Sequence, residues 1–221
     1  PILTSLNPLY TIGNQMLEII ELHQNVKGKE AFNIAVEALE RVKIPDAKAK
    51  MKSYPHEFSG GMKQRVIIAM ALACNAEIII ADEPTTALDV TVQAQIMEIL
   101  RDVKEKFNMS VILITHDLGI VAQNADKIAV MYAGRVVEYA PVDELFNDPK
   151  HPYTKALLNV ILDINTDKVE TIEGQPPSVT DNIKGCPFHP RCKYCMEICT
   201  HKEPELKMTG SNRKVACHLY S

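Results

Sequence analysis

Residues 78–84 read Ile78-Ile79-Ile80-Ala81-Asp82-Glu83-Pro84, and the rest of the chain is best organised around them. A short β-branched run without polar alternation predicts a strand buried on both faces. A second such run, Val111-Ile112-Leu113-Ile114, follows it. Between them, Val92, Ile96, Ile99, Leu100, Val103 and Phe107 recur at helical spacing over residues 90–107. A short helix comes next, then two strands at about 127–132 and 135–139 around Ala133-Gly134. Strand, helix, strand, helix is the pattern of an α/β fold with mostly parallel strands.

Upstream, the chain is helical. Ile12, Met16, Ile19 and Ile20 mark one amphipathic helix, and Phe32, Val36 and Leu39 a second that Pro45 stops. Gly60 to about Cys74 forms a third. Downstream of Pro141, Asp143 to Asn147 reads as a helical turn. His151-Pro152-Tyr153-Thr154 opens a further helix with proline in its first turn. Gly174 to Ser178 is a loop, and a cysteine-rich tail follows. Three regions result: a helical subdomain over 1–75, a sheet core over 76–140, and a C-terminal extension over 141–221.

The 221 residues carry 24 Lys+Arg against 28 Asp+Glu, a net charge of −4. That balance argues against a nucleic-acid footprint, and five phenylalanines, seven tyrosines and no tryptophan give little for base stacking. Eighteen consecutive apolar residues, enough to cross a membrane as a helix, occur nowhere.

Two carboxylates at the carboxyl end of a strand lie where open α/β sheets bind ligands. Asp82 suits Mg2+, which prefers oxygen ligands, and Glu83 can polarise a water for attack on a terminal phosphate. In Phe58-Ser59-Gly60-Gly61-Met62, Ser59 is a good N-cap. The glycines let a ligand approach the first-turn N–H groups, which form an anion site. His116 ends the second strand on the same sheet edge as Glu83, where an imidazole can bridge phosphate, water and base.

The tail spaces its cysteines C-x5-C-x2-C-x3-C-x17-C, from Cys186 through Cys192, Cys195 and Cys199 to Cys217. Thiolates in such number hold tetrahedral Zn2+ or a [4Fe–4S] cluster, and spacing does not choose between them. Cys74 stands apart and reads as a small buried hydrophobe.

Taken in order, Ser59-Gly60-Gly61, Ala81-Asp82-Glu83-Pro84, Ala87-Leu88-Asp89 and Thr115-His116-Asp117 resemble the ATP-binding-cassette ATPases. The run from Ala81 to Gln95, with Thr4-Ser5-Leu6-Asn7-Pro8 and His151 to Leu158, resembles the ATPase subunits of oligopeptide, dipeptide and nickel importers. The resemblance implies a partial P-loop (RecA-like) core. It implies Glu83 as catalytic base, Asp82 as the Walker B residue for Mg2+, and His116 as the switch histidine. Ser59, Gly60 and Gly61, with Gln64 in the same helix, would contact ATP held by a second ATPase subunit. Asp89 would face that partner.

The same resemblance implies transmembrane permease subunits, an extracytoplasmic peptide-binding protein acting indirectly, no nucleic acid, and a place at the cytoplasmic face of the membrane. For the tail it implies a [4Fe–4S] cluster on Cys186, Cys192, Cys199 and Cys217. Cys195 is surplus to that set, and a zinc site using Cys192 and Cys195 stays open. His189, His201 and His218 read as bystanders.

One departure stands out. No G-x-x-x-x-G-K-[ST] occurs: Gly28-Lys29 is followed by Glu30 and preceded, five residues before Gly28, by His23. The family carries that loop, and its Q-loop glutamine, before the position of Pro1. The expectation is an N-terminally truncated ATPase that binds ATP weakly and does not hydrolyse it alone. Two other readings are a cassette ATPase of DNA repair or translation, which the His151 string and the acidic balance oppose, and a metal-binding regulatory fragment without catalysis.

Overall fold

The structure, a computed structural model, describes residues 5–162, 172–178, 180 and 183–220, with the side chains of 160–162 left aside. Thr4, at the head of the Thr4–Pro8 string, therefore lies outside the described residues. The chain divides into two compact units at Leu118/Gly119.

The first unit begins with three mutually packed helices, α1 (Ile12–Gln24), α2 (Lys29–Arg41) and α4 (Gly60–Ala73), with a single turn, α3 (Ala47–Lys50), between the last two. Thr11 caps α1 by accepting the Asn14 N–H, and Ile12, Met16 and Ile20 are buried. Asn25, in the left-handed conformation, ends the helix before the Lys27-Gly28 break seen in the sequence. Gly13 donates its N–H to the Met51 carbonyl at 2.8 Å. A Cβ on Gly13 would sit 2.5 Å from that oxygen, so only glycine allows the approach. Gln15 pins the preceding turn, accepting the Asn7 N–H and donating to the Asn7 and Tyr10 carbonyls.

Strands β1 (Ile78–Asp82) and β2 (Ser110–Ile114) pair in parallel, joined by α5 (Val90–Phe107). The helix burial follows the sequence pattern at Ile96, Ile99, Leu100 and Val103. Phe107 instead lies out in solvent beneath the Arg41 guanidinium, 4.8 Å from its ring centroid.

The expectation that both strands are buried on two faces is overturned. Burial alternates in β1, with Ile79 and Ala81 covered but Ile78 57% and Ile80 66% exposed. In β2, Ile112 and Ile114 are likewise exposed. The reason is that α5 packs against β2 on one side, and the opposite face of this two-stranded sheet has nothing laid over it among the described residues.

The second unit is also not what a parallel sheet would give. β3 (Lys127–Tyr132) and β4 (Arg135–Pro141) are antiparallel, and the four-stranded order is β3-β4-β6-β5, with β5 (Lys207–Met208) and β6 (Lys214–Val215) from the tail. Ala133 and Gly134 both have positive φ, the two-residue turn that closes a hairpin, whereas parallel strands need a long crossover. The mostly parallel core thus shrinks to one pair of strands.

Helices α6 (Leu118–Asn124), α7 (Val142–Asn147), α8 (Pro152–Leu162) and α9 (Glu197–His201) complete the elements. Arg213 is buried and donates to the Glu144 and Asp148 carbonyls at 2.7 Å, capping α7.

The start of α8 is the most tightly specified part of this unit. Glu138, on β4 and fully buried, accepts the Lys150 and His151 N–H groups at 2.9 and 2.8 Å. His151 accepts the Tyr153 N–H on Nδ1 at 3.0 Å, so its proton sits on Nε2. Phe188 packs on its ring, and Tyr132 and Tyr153 pack on Phe188 and on each other.

Burial lowers the His151 pKa to about 4 from its ordinary 6.5. The neutral form is favoured in the folded state, so its contribution is complete above pH 6.5 and is lost as pH falls towards 4. That window is worth on the order of 3 kcal/mol. Urea unfolding at pH 7 and pH 4 should show this loss, and a His151→Asn variant, which keeps an acceptor for Tyr153, should show a flatter pH dependence. Parallel pH profiles for the two proteins would remove His151 as the cause.

Candidate functional site

The parallel register sets the site. Asp82 pairs with Ile114, so the residues just beyond each strand emerge at one sheet edge. Glu83 continues the ladder by one hydrogen bond, its N–H to the Ile114 carbonyl at 2.8 Å. Its backbone then turns into the left-handed region at φ 45°, unusual for a side chain with Cβ. That turn aims the carboxylate along the edge, towards His116.

The Glu83 carboxylate has a partner on each oxygen. The Thr86 hydroxyl donates to Oε2 at 2.9 Å, and His116 Nδ1 lies 3.1 Å from Oε1. Because the carboxylate only accepts, Nδ1 carries the proton and Nε2 is left facing outward. His116 is 79% exposed and Glu83 about half exposed, so both can be reached by a ligand. The Thr86 hydroxyl, and then His116, hold the Glu83 carboxyl below the usual carboxylate range. It is ionised at neutral pH, as a group that orients water requires. Asp82 is exposed beside it. Behind His116, Asp117 donates its N–H to the Thr115 hydroxyl, and Gln93 on α5 reaches the Asp117 carboxylate at 3.4 Å.

A second group forms where two helices begin. Ser59 caps α4 by accepting the Met62 N–H at 3.3 Å, and Asp89 caps α5 by accepting the Val92 N–H at 3.0 Å. A Cβ on Gly61 would collide with Val92, and one on Gly60 would press Leu88 at 3.4 Å. The two glycines thus have a packing role that sequence reasoning missed: they let the first turn of α5 lie against the first turn of α4. Ser59, Gly60 and Gly61 are brought beside Asp89 by that contact. Gln64 points into the helix packing, 6% exposed, and its Oε1 has no partner.

In the tail, Cys186 and Cys199 are buried, Cys192 and Cys217 half-buried and Cys195 exposed, none of them in a disulfide. Gly185, at φ 75°, admits the Cys199 carbonyl where a Cβ would stand, and that carbonyl accepts the Cys186 N–H at 2.9 Å. Burial pushes the Cys186 thiol up to about 11, and Cys199, Cys217 and Cys192 act on it in the same direction. Burial likewise raises Cys192 and Cys217. Among the described residues, no three His, Cys, Asp or Glu side chains gather closely enough to hold a single metal ion. His189 and His218 are occupied with the Cys186 and Lys202 carbonyls, and His201 lies beside the Thr200 hydroxyl. Cys74 is only partly buried and bonds the Met70 carbonyl.

Two residues were missed in the sequence. Thr86 could have been found as a hydroxyl three residues after Glu83. Glu138 could have been found as the one charge inside Val136-Val137-Glu138-Tyr139-Ala140.

Residues 4–86 match the family described as ABC transporter, and residues 137–199 match the family described as oligopeptide/dipeptide transporter, C-terminal region. The chain is 51% identical over 217 residues to the oligopeptide transport ATP-binding protein OppD of Salmonella typhimurium, covering 97% of this chain and 64% of that one. It is 51% identical over 220 residues to the oligopeptide transport ATP-binding protein AppD of Bacillus subtilis, covering 99% and 67%. Among solved structures it is similar to the dimeric post-hydrolysis state of the ATP-binding cassette MJ0796 bound to ADP and Pi, with TM-score 0.54, 31% identity, and coverage of 62% and 59%. The chain thus spans about two thirds of the length of these curated relatives.

Because the Thr86 hydroxyl is the largest influence on Glu83, a Thr86→Val variant should raise the Glu83 carboxyl pKa towards its ordinary value. A carbon-detected NMR titration of the carboxyl reads this directly. An unmoved titration would show that Thr86 does not hold the group.

Proposed function

The chain belongs to the ABC transporter ATP-binding proteins of the oligopeptide/dipeptide transporters, and from that premise we propose that it is the subunit that hydrolyses ATP to power peptide import. The observation that carries this reading is the Glu83 carboxylate, ionised and gripped between Thr86 and His116 at the end of a parallel strand.

In this reading Glu83 accepts a hydrogen bond from the attacking water and aligns it with the γ-phosphate. His116, its Nδ1 proton committed to Glu83, offers Nε2 to the phosphate side. Asp82 is an exposed oxygen donor of the kind Mg2+ prefers, and would hold that ion directly or through water. Bound Mg2+ supplies charge neutralisation on the phosphates. Ser59 and the first-turn N–H groups of Gly60 and Gly61 approach the nucleotide of a second ATPase subunit, with Asp89 beside them at the same face. Gln64, buried within α4, acts on the nucleotide only by holding that turn.

The dimeric, ADP- and Pi-bound state of the MJ0796 cassette supports a two-subunit sandwich here. The phosphate-cradling G-x-x-x-x-G-K-[ST] is not among these residues, so hydrolysis is assigned to the assembled transporter and not to this stretch. No helix among the described residues is long and apolar enough to cross a membrane. That agrees with a peripheral subunit docked on permease subunits at the cytoplasmic face. The peptide-transport relatives support peptide cargo over nickel.

For the tail we propose that Cys186, Cys192, Cys199 and Cys217 hold a [4Fe–4S] cluster. The support is physical. These four are the buried or half-buried cysteines of the tail, whereas Cys195 is exposed, and a set of four thiolates is what a four-iron core takes. Thiols driven upward by burial need a positive group to become thiolates, and iron supplies it when bound. The cluster would pin a tail that has only the two-residue strands β5 and β6.

Glu83→Gln in the complete subunit, assembled with its permease, should lower ATP turnover by about 10²- to 10⁴-fold with folding intact. Undiminished turnover would end the reading. Anaerobically purified protein should be brown, with broad visible absorption and about four irons per chain. A colourless protein carrying stoichiometric zinc would replace the cluster with the Cys192–Cys195 alternative.

A further inference from the structure

The His116 side chain is 79% exposed. Among the described residues its ring makes one hydrogen bond, to Glu83 Oε1 at 3.1 Å. A contact between two exposed groups holds a ring weakly. The aim of Nε2 must therefore be set by the backbone on either side of the ring. There, Asp117 donates its N–H to the Thr115 hydroxyl at 3.1 Å, which closes a small turn around residue 116. The half-buried Asp117 carboxylate then accepts from the half-buried Gln93 amide, Nε2 to Oδ2 at 3.4 Å. That bond is long, but its acceptor is a carboxylate and both groups are partly shielded from water, which strengthens it. Gln93 closes the first turn of α5, its own N–H donating to the Asp89 carbonyl at 2.8 Å. The turn that carries His116 is thus tied to the helix start that Asp89 caps.

We propose that Gln93 is a positioning residue for His116. It anchors the Asp117 carboxylate, and through the Thr115–Asp117 turn it keeps the imidazole on Glu83 with Nε2 outward. The anchor sits at the start of α5, so the seating of that helix turn and the aim of the ring are one event. In the hydrolytic reading above, on which this sentence rests, Asp89 faces the second ATPase subunit and Nε2 faces the phosphate, so the two share one anchor.

The first readout does not depend on hydrolysis. The full chain, with its histidine ring nitrogens isotopically labelled, is held at mildly alkaline pH, where an imidazole carries one ring proton. A His116→Gln variant identifies the His116 signals by their loss. In the unaltered chain they should place the proton on Nδ1, as the bond to Glu83 requires. In Gln93→Ala they should show the averaged tautomers of a free imidazole. Gln93→Lys, whose ammonium can reach the Asp117 carboxylate, should restore the Nδ1 form. Unchanged His116 signals in Gln93→Ala overturn the inference, as does a Gln93→Lys chain that behaves like Gln93→Ala.

The second readout is ATP turnover by the complete subunit assembled with its permease. Gln93→Ala should lower kcat by about 10- to 100-fold with KM for ATP little changed, because the ring is misaimed while the nucleotide still binds. Gln93→Lys should recover most of the rate. Full turnover in Gln93→Ala beside its loss in Glu83→Gln overturns the positioning role alone. Full turnover in both variants overturns the hydrolytic reading, and the imidazole signals still decide the anchor.

Discussion

The in-register parallel pairing of β1 with β2 is the constraint from which the site follows. Asp82 opposite Ile114 leaves Glu83 one residue past β1 and His116 two residues past β2, and one further hydrogen bond, Glu83 N–H to the Ile114 carbonyl, carries the alignment into the loop. A slip of one residue would turn His116 away and reverse the faces of both strands. The left-handed turn at Glu83 has a conformational cost that the ladder and Thr86 together sustain. Strain at the residue proposed to orient the attacking water is thus maintained by a few short, local contacts.

The second half of the machinery depends on space. Two helices start side by side because Gly61 leaves room for Val92, with Leu88 close over Gly60. Their caps, Ser59 and Asp89, each hold one first-turn N–H of their own helix. Packing and ligand approach make the same demand on these positions, since both need the absence of a Cβ.

Element positions were legible where local chemistry decides them. α5 runs from Val90 to Phe107, as its apolar stripe predicts, because Asp89 caps it and Asn108 closes it. The strand positions and the meeting of Glu83 with His116 could also be read, since order and spacing fix them. Burial of β1 and β2 could not. A run of isoleucines looks the same whether one face is covered or two, and the covering element is distant in sequence. The antiparallel second sheet was misjudged for a related reason: the two strands around Ala133-Gly134 were read into a mostly parallel core, and β5 and β6 are two residues each and carry no period to detect. Thr86 and Glu138 were silent because a hydroxyl in a loop and a lone carboxylate in a strand acquire meaning only from what they touch.

The bare face of the β1–β2 pair has a thermodynamic implication. Ile78, Ile80, Ile112 and Ile114 stand on it, and each is worth about 1.5–3 kcal/mol when fully taken from water. All four are already about half covered, so covering the rest is worth several kcal/mol together, a sizeable part of an ordinary domain's net stability. Whatever is laid over this face therefore does more than attach: it adds to the stability of the strands that carry Asp82 and Ile114.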